Sequence, residues 1–394
     1  MSTIKVNKIE NTATANGGIA IDASGHVQID GQQLPTAGAF YRPPLIINGA
    51  MNVAQRSTSV TGVANDSSEG FQTLDRFGIE FGNSAGGACT ISQSTDVPSG
   101  EGFTNSYKVD VTTADTSLAD SQMIYIRHGL EAQDVRNCGW DYTSTSSYVT
   151  VSFWVKSSKA GDYCFTVRAL DVSGHFYYNH TVTLVANTWK KVTHSIPGHA
   201  SLVFNNDNGL GLDLRWQLAM AANRNDATTD SWQSGSANTS TDIVNFFDST
   251  SNEFYLTGVQ MDVGEKSLPF PFMSYGDELA RCERYFELIR ASNNVVMGYA
   301  YAASSGAASL RYRTLKRAAP GTVTLATAGQ SSGQLSFLTA GGSYPTTTGT
   351  HTVDSITADG FRIDSSGYSG LTDDSNSVLY ITGEGTVAKV DAEL

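Results

Sequence analysis

The pentapeptide GNSAG at residues 82–86 matches G-x-S-x-G, the spacing that presents a serine nucleophile on a sharp strand-to-helix turn. Its flanks, IEF before and GACTIS after, are both β-like, so Ser84 lacks the helix that such an elbow requires. Histidines occur at five-residue intervals, His175 with His180 and His194 with His199. No H-E-x-x-H and no cysteine pair accompanies them, so hydrogen-bonding roles are expected and no metal site. NNDNG at 205–209 is calcium-loop-like, but position twelve, where such a loop places glutamate, is Trp216. A polysaccharide depolymerase needs two carboxylates flanking the scissile bond. With 38 acidic residues some such pair always exists, so counting decides nothing. The reading is a protein without catalytic residues and without a cofactor.

The chemistry that remains is aromatic. Trp140 and Tyr142 lie in GWDY, His175, Tyr177 and Tyr178 in GHFYY, and Trp232 in NDATTDSWQSGSANTST. Aromatic faces stack on the C–H surfaces of pyranose rings, while nearby Asn, Asp and Gln read the hydroxyls. These six residues are the candidate ligand-binding set, with edge packing as the competing role for each ring.

Composition limits the partners. The net charge is −13, which disfavours nucleic acid, whose phosphates demand clustered Lys and Arg, and disfavours anionic lipid headgroups. No apolar run reaches the roughly 18–20 residues needed to span a bilayer, so no membrane insertion is expected. MSTIKVNKIE lacks the apolar core of a signal peptide, so synthesis in a cytoplasm is expected. Cys89, Cys138, Cys164 and Cys282 are widely spaced and read as reduced and buried.

The elements that must position the aromatics are mainly β. Residues 1–40 hold very short alternating runs (Ile4, Val6, Ile9; Ile19, Ile21; Val27, Ile29) punctuated by glycine. One copy buries too little area to offset its chain entropy, so neighbouring copies must complete it. From 41 to 273 the alternation is strong. Val149, Val151, Phe153 and Val155 share a face, as do Tyr163, Phe165 and Val167, and Leu210, Leu212, Leu214, Trp216 and Leu218. Tyr255, Thr257, Val259, Met261 and Val263 are expected opposite Phe254 and Leu256. This pattern indicates an antiparallel jelly-roll sandwich. Pro269 and Pro271 in LPFPF end its last strand. A linking helix of about four turns is expected over 274–290, capped by Ser274 and carrying an Asp277–Arg281 pair. It reads as a hinge, followed by a second, smaller β-sandwich over 291–394.

NGAMNVAQR, TLDRF, VTVSFWVKSS, NTWKKVTHSIPG, FYLTGVQMDVG and GDELARCERYFE follow one another in that order. Together they resemble the carbohydrate-binding-module-like jelly roll of bacteriophage tail fibre proteins of the marine phage type. In that group FYLTGVQ is usually followed by Glu-Val-Gly and a Pro-Phe-Glu tail; here Asp262 replaces the Glu and Pro-Phe-Met the tail. ELARCERYFE introduces a C-terminal β domain there, and Ala392-Glu393-Leu394 matches a common ending. IKVNKIENTATANGGIAIDASGHVQIDG is similar to virion-attachment and stalk segments of such fibres. The resemblance spans nearly the full length and points to a protein class, not to a ligand. The motifs themselves carry structural expectations: an Asp75–Arg76 ion pair, Trp154, Trp189 and Trp216 as core rings, and a central strand around Gln260.

The resemblance implies a virion tail appendage for host attachment that binds a host cell-surface glycan without cleaving it. It also implies that other phage tail or virion proteins are held through the N-terminus. The alternative is a structural appendage, such as a head fibre or connecting tail component, with no host ligand; a depolymerase comes third. Threefold fibre symmetry and the coreless segment 1–40 together predict a homotrimer. Light scattering on the full chain and on a truncation starting at Tyr41 checks this: trimer is expected only for the full chain, and a monomeric full chain removes the idea.

Overall fold

The computed structural model describes residues 8–10, 18–21, 27–29, 32–33, 44–65, 70–172, 175–226, 228–235, 239–240, 243–338, 349–373 and 375–394. The chain divides into two units, Met1–Pro44 and Leu45–Leu394. In the first, β1 (Lys8–Glu10), β2 (Gly18–Ile21), β3 (Val27–Ile29) and β4 (Gln32–Gln33) form an antiparallel meander. Ile9 pairs with Ile19 and Ile19 with Ile29. Ile9 and Ile19 are exposed, so the ladder leaves apolar surface uncovered within its own chain. The remainder of the expected 1–40 attachment segment lies outside the described residues.

The second unit begins with a sandwich. Its strands are β5 (Ser59–Ala64), β6 (Gly78–Gly82), β7 (Ala88–Ser94), β8 (Ser106–Thr113), β9 (Met123–Glu131), β10 (Tyr148–Ser157) and β11 (Gly161–Ala169). They continue with β12 (Phe176–Leu184), β13 (Lys190–Pro197), β14 (Leu210–Met220), β15 (Asn225–Asp226), β16 (Trp232–Ser234), β17 (Thr239–Ser240) and β18 (Glu253–Val263). One six-stranded sheet runs β13-β10-β18-β8-β7-β5 and the other β16-β12-β11-β14-β9-β6. Helix α1 (Ala132–Asn137) follows β9. The alternating residues of β10, β11 and β14 point into one shared core, as period-2 patterning dictates. β18 lies between β10 and β8, so the Gln260 strand is interior to its sheet. Cys89, Cys138, Cys164 and Cys282 are buried thiols outside any disulfide.

The expected faces of β18 are corrected by a bulge. Ser152 pairs with Gln260 but Trp154 with Thr257, so Gly258 and Val259 together oppose Phe153. Gly258 has φ +63°, and a Cβ there would lie 2.6 Å from Phe103 Cζ. The extra residue switches the inward face, so Phe254 and Leu256 enter the core before it and Val259 and Met261 after it.

The LPFPF segment then crosses the outer face of the first sheet. Gln260 Nε2 donates to Leu268 O at 2.6 Å, Leu268 N to Asp262 Oδ2 at 3.0 Å, and the Ser152 and Ser267 hydroxyls meet at 2.8 Å. Phe270 and Phe272 close on Phe103 with centroids 4.9 and 5.2 Å away. The prolines suit this path because it needs no continuous ladder.

Helix α2 (Tyr275–Glu283) has nine residues, shorter than the four turns expected. Ser274 caps it, accepting from Asp277 N at 3.2 Å, and Arg281 pairs with Glu278, not Asp277. Phe286, expected on the helix, instead opens β19 (Phe286–Ala302). β20 (Ser305–Arg311), β21 (Thr322–Leu325), β22 (Leu335–Leu338), β23 (Thr350–Asp354), β24 (Gly360–Ser366) and β25 (Ser375–Asp391) follow. These make a single seven-stranded sheet, β21-β25-β19-β20-β24-β23 with β22 also on β25, which packs on its own core. The smaller C-terminal β layer is thus one hydrogen-bonded sheet.

The strands after the helix are docked on the sandwich through buried charge. Asp75 and Arg76 do not pair with each other. The Arg76 guanidinium pairs with Glu393, donates to Gly129 O at 2.5 Å, and lies 3.5 Å from the centre of the Tyr285 ring. Burial drags its pKa down, but Glu393 and Tyr285 outweigh that and hold it above its usual value. Asp75 instead accepts from Gln55 N at 3.0 Å and lies 4.0 Å from Arg56. Burial pushes its carboxyl up to about 6 against the pull of Arg56. Arg56 caps the Phe286 ring at 3.6 Å and reaches Asp391 at 3.0 Å. Arg284 and the Tyr285 hydroxyl both grip Glu131 at 2.7 Å.

Removing the carboxylate of Glu393 leaves Arg76 buried and unpaired, a loss of about 3–5 kcal/mol for broken buried pairs. Urea unfolding of Glu393→Ala is expected to show that loss with the slope unchanged; a wild-type midpoint would remove the junction from the stability of this unit.

Candidate ligand-binding face

The six aromatic candidates gather at one end of the sandwich, where the edge strand β13 faces β12. Trp140 and Tyr142 pack on Phe204, with Tyr142 and Phe204 centroids 4.9 Å apart. Tyr142 O accepts from His199 N at 2.8 Å, and the His199 ring lies 5.3 Å from Phe176. Trp232 Nε1 donates to Pro197 O at 2.7 Å, and its ring meets Tyr178 edge-on at 5.5 Å. The turn at 197–199 is therefore ringed by residues that sequence places far apart.

Exposure divides them. Trp140, Tyr177, Tyr178 and Trp232 are 8% exposed or less, whereas Tyr142 and His175 are half-buried. For those four the burial fits the packing role that competes with ligand binding. Trp140, Tyr178 and Trp232 belong to the sandwich core, because a large ring at a sheet edge gains more by covering apolar neighbours than by facing water. Phe176 and His199, which the sequence reading passed over, are half-buried partners at the same rim. Phe176 stands in HFYY directly before the two tyrosines that the sequence selects on β12. Of the three tryptophans expected in the core, Trp216 is there, while Trp154 and Trp189 are half-buried outside it. Trp189 Nε1 donates to Asp96 at 3.0 Å.

From the rim, a polar lattice spreads over the outer face of the second sheet. Register sets Arg127, Arg215, Thr166 and Asn179 side by side across β9, β14, β11 and β12. Asp213, Arg168 and Tyr177 form the next row. Asp213 is held at 3.2 Å by Arg127 and 2.7 Å by Arg215. Arg127 also reaches Glu80 at 3.4 Å, and Arg215 lies 4.2 Å from the centre of Tyr125. Both guanidinium pKa values sit above their usual range: burial lowers them, but Asp213 more than compensates. At the rim end, Arg168 donates to His175 Nδ1 at 2.7 Å and lies 5.5 Å from the Tyr177 ring. Burial and then Arg168 hold His175 below its ordinary pKa, so it stays neutral at pH 7. Locked donors, acceptors and ring edges of this kind suit hydroxyl-rich ligands.

The other flagged sequences are structural. Gly82–Gly86 is a turn between β6 and β7, with Asn83 and Ser84 at positive φ. The 205–209 loop docks on α1 and the C-terminal part, with Gly209 O accepting from Ala132 N at 2.8 Å and Asn208 O accepting from Arg317 at 3.0 Å. The histidines diverge from expectation at one point. His180 and His194 stack at 3.7 Å beside Asp230, their ring nitrogens 2.7 and 3.3 Å from one carboxylate oxygen. Burial, with a further push from His180, lowers His194 to about 4.

No family model matches the chain, and no curated protein matches it significantly. Among solved structures it is similar to the enzymatically active domain of bacteriophage CBA120 tailspike protein 4 (12% identity, TM-score 0.30). That match covers 56% of this chain and only 21% of the tailspike chain. A family 4 carbohydrate-binding module matches at 14% identity and TM-score 0.28, covering 55% of this chain and 97% of its own. The family 11 module of a cellulosomal cellulase from Clostridium thermocellum matches at 14% and 0.25, covering 52% and 98%. At such TM-scores these likenesses carry no argument about function.

The burial pattern separates scaffold from rim. Trp232→Ala is expected to cost about 3–5 kcal/mol, as for other buried aromatics, whereas His199→Ala stays within about 0.5 kcal/mol. Paired chemical-denaturation curves check this; equal midpoints for the two variants would contradict the assignment.

Proposed function

We propose that this chain is a tail-fibre-type virion appendage that attaches a phage to its host by binding a neutral surface glycan without cleaving it. The observation that carries the reading is the joined surface of β12, β11, β14 and β9. There half-buried His175 bonds Arg168 at the edge of a locked, largely buried array of Arg, Asp, Thr and Asn, and the half-buried Tyr142, Phe176 and His199 line the adjoining end of the sandwich. The ordered motifs of a fibre jelly roll support it. So does the exposed isoleucine ladder of the first unit, which suits a homotrimeric stalk made in the host cytoplasm and held on the virion by other tail proteins. Binding without cleavage is supported by Asp213 and Glu131, buried carboxylates that are each engaged by arginine. The chain's negative charge favours neutral or calcium-bridged ligands over anionic ones.

One observation favours the second reading, a structural appendage: four of the six sequence-selected rings are packed inside. A site of a few rings and hydrogen bonds gives roughly millimolar affinity, and three linked copies add about 10²-fold avidity or more. Adsorption of labelled full-length protein to susceptible cells, with a reducing-end assay on their extracted polysaccharide, separates the readings. Adsorption without new reducing ends is expected, reduced several-fold by Phe176→Ala or His199→Ala. Absent adsorption would favour the structural role, and new reducing ends a depolymerase.

A further inference from the structure

We propose that His180, His194 and Asp230 form a binding site for a first-row divalent transition metal, of which Zn²⁺ is the representative, that clips the two sheets together at their β12/β13 edge. His180 comes from β12 of one sheet and His194 from β13 of the other. Asp230 comes from the connection between β15 and β16. One ligand atom from each lies within 4.8 Å of the others. Zinc bonded at about 2.0–2.1 Å in a tetrahedron sets its ligand atoms about 3.3 Å apart. His194 Nε2 already stands 3.3 Å from Asp230 Oδ1, and His180 Nδ1 at 2.7 Å needs only to draw back. A bound cation opens the 20° ring stack, because each lone pair lies in the plane of its imidazole. Two imidazoles with one carboxylate suit zinc, cobalt or nickel, and not calcium, which takes oxygen ligands throughout.

The third ligand is placed deliberately. Asp230 has φ +57°, a conformation non-glycine residues rarely hold, and its N–H donates to Asn179 O at 2.8 Å, next to His180. The Tyr178 hydroxyl, packed against Trp232, stands 3.1 Å from His194 Nε2, and a bound cation takes that nitrogen's lone pair in its place. Asp230 is half exposed and both histidines retain partial exposure, which leaves the fourth coordination position facing solvent.

The test is metal titration of the full-length protein after dialysis against chelator. Expected are one equivalent of Zn²⁺ per chain, a raised melting temperature, and with Co²⁺ the intense visible absorption of a four-coordinate complex. His180→Ala and Asp230→Asn should each weaken Zn²⁺ binding by about 10-fold or more, while His199→Ala leaves it unchanged. If His194→Ala fails to fold, the exposed Asp230→Asn decides alone. No saturable Zn²⁺ binding, or binding equal in wild type and Asp230→Asn, overturns the site.

Discussion

A guanidinium taken out of water constrains the whole of residues 45–394. Arg76 is 1% exposed and must find its counter-charge, its acceptors and its ring within the fold. It draws Glu393 from the strand tail after β25, Gly129 O from β9 and Tyr285 from the end of α2. Its own carbonyl faces His128 Nδ1 at 3.0 Å. Burying such a charge is costly unless it is paired, and here both terminal nitrogens find acceptors while the buried Nε has none. The positions of the C-terminal sheet, the helix and the second sheet of the sandwich are therefore mutually dependent.

The motifs in which the fibre resemblance lies prove to be parts of this junction. Asn48 of NGAMN bonds Val53 O and Asp75 O at 2.8 and 2.9 Å, and its backbone N–H donates to Glu278 of GDELA at 2.6 Å. Gly49 accepts from Val259 N of FYLTGVQ at 3.0 Å, and a Cβ at Gly49 would collide with Val259 O. Four separated motifs thus meet around one buried cluster. They specify a chassis that carries the loops and outer faces.

This explains what was legible in the sequence. Faces of β10, β11 and β14 could be read because alternation is a local property, and the Ser274 cap and proline stop are local too. The β18 face was misread because Gly258 shifts the period by one, which alternation alone does not announce. Helix α2 was drawn too long because Phe286 and Ile289 continue the helical spacing of Leu279 and Cys282, yet both belong to β19, where Arg56 covers the Phe286 ring. Long-range partners escaped altogether: Asp75 and Arg76 looked like a pair by adjacency, yet they sit in a turn with Arg76 at φ +70°, and each finds its partner elsewhere in the chain. The aromatic rim was found by residue type, but its burial and its stacked histidines depend on how two sheet edges meet.

The Arg76–Glu393 pair joins residues 317 positions apart. At ribosomal rates of about 5–20 residues per second, the arginine waits roughly 15–60 s for its carboxylate after it has itself been made. During that interval the jelly roll can pair its strands but cannot close over the guanidinium. The nascent sandwich therefore stays unsealed along the side that will receive the helix and the last strand. Emergence of Glu393 is what lets that side close, whatever the jelly roll has already paired.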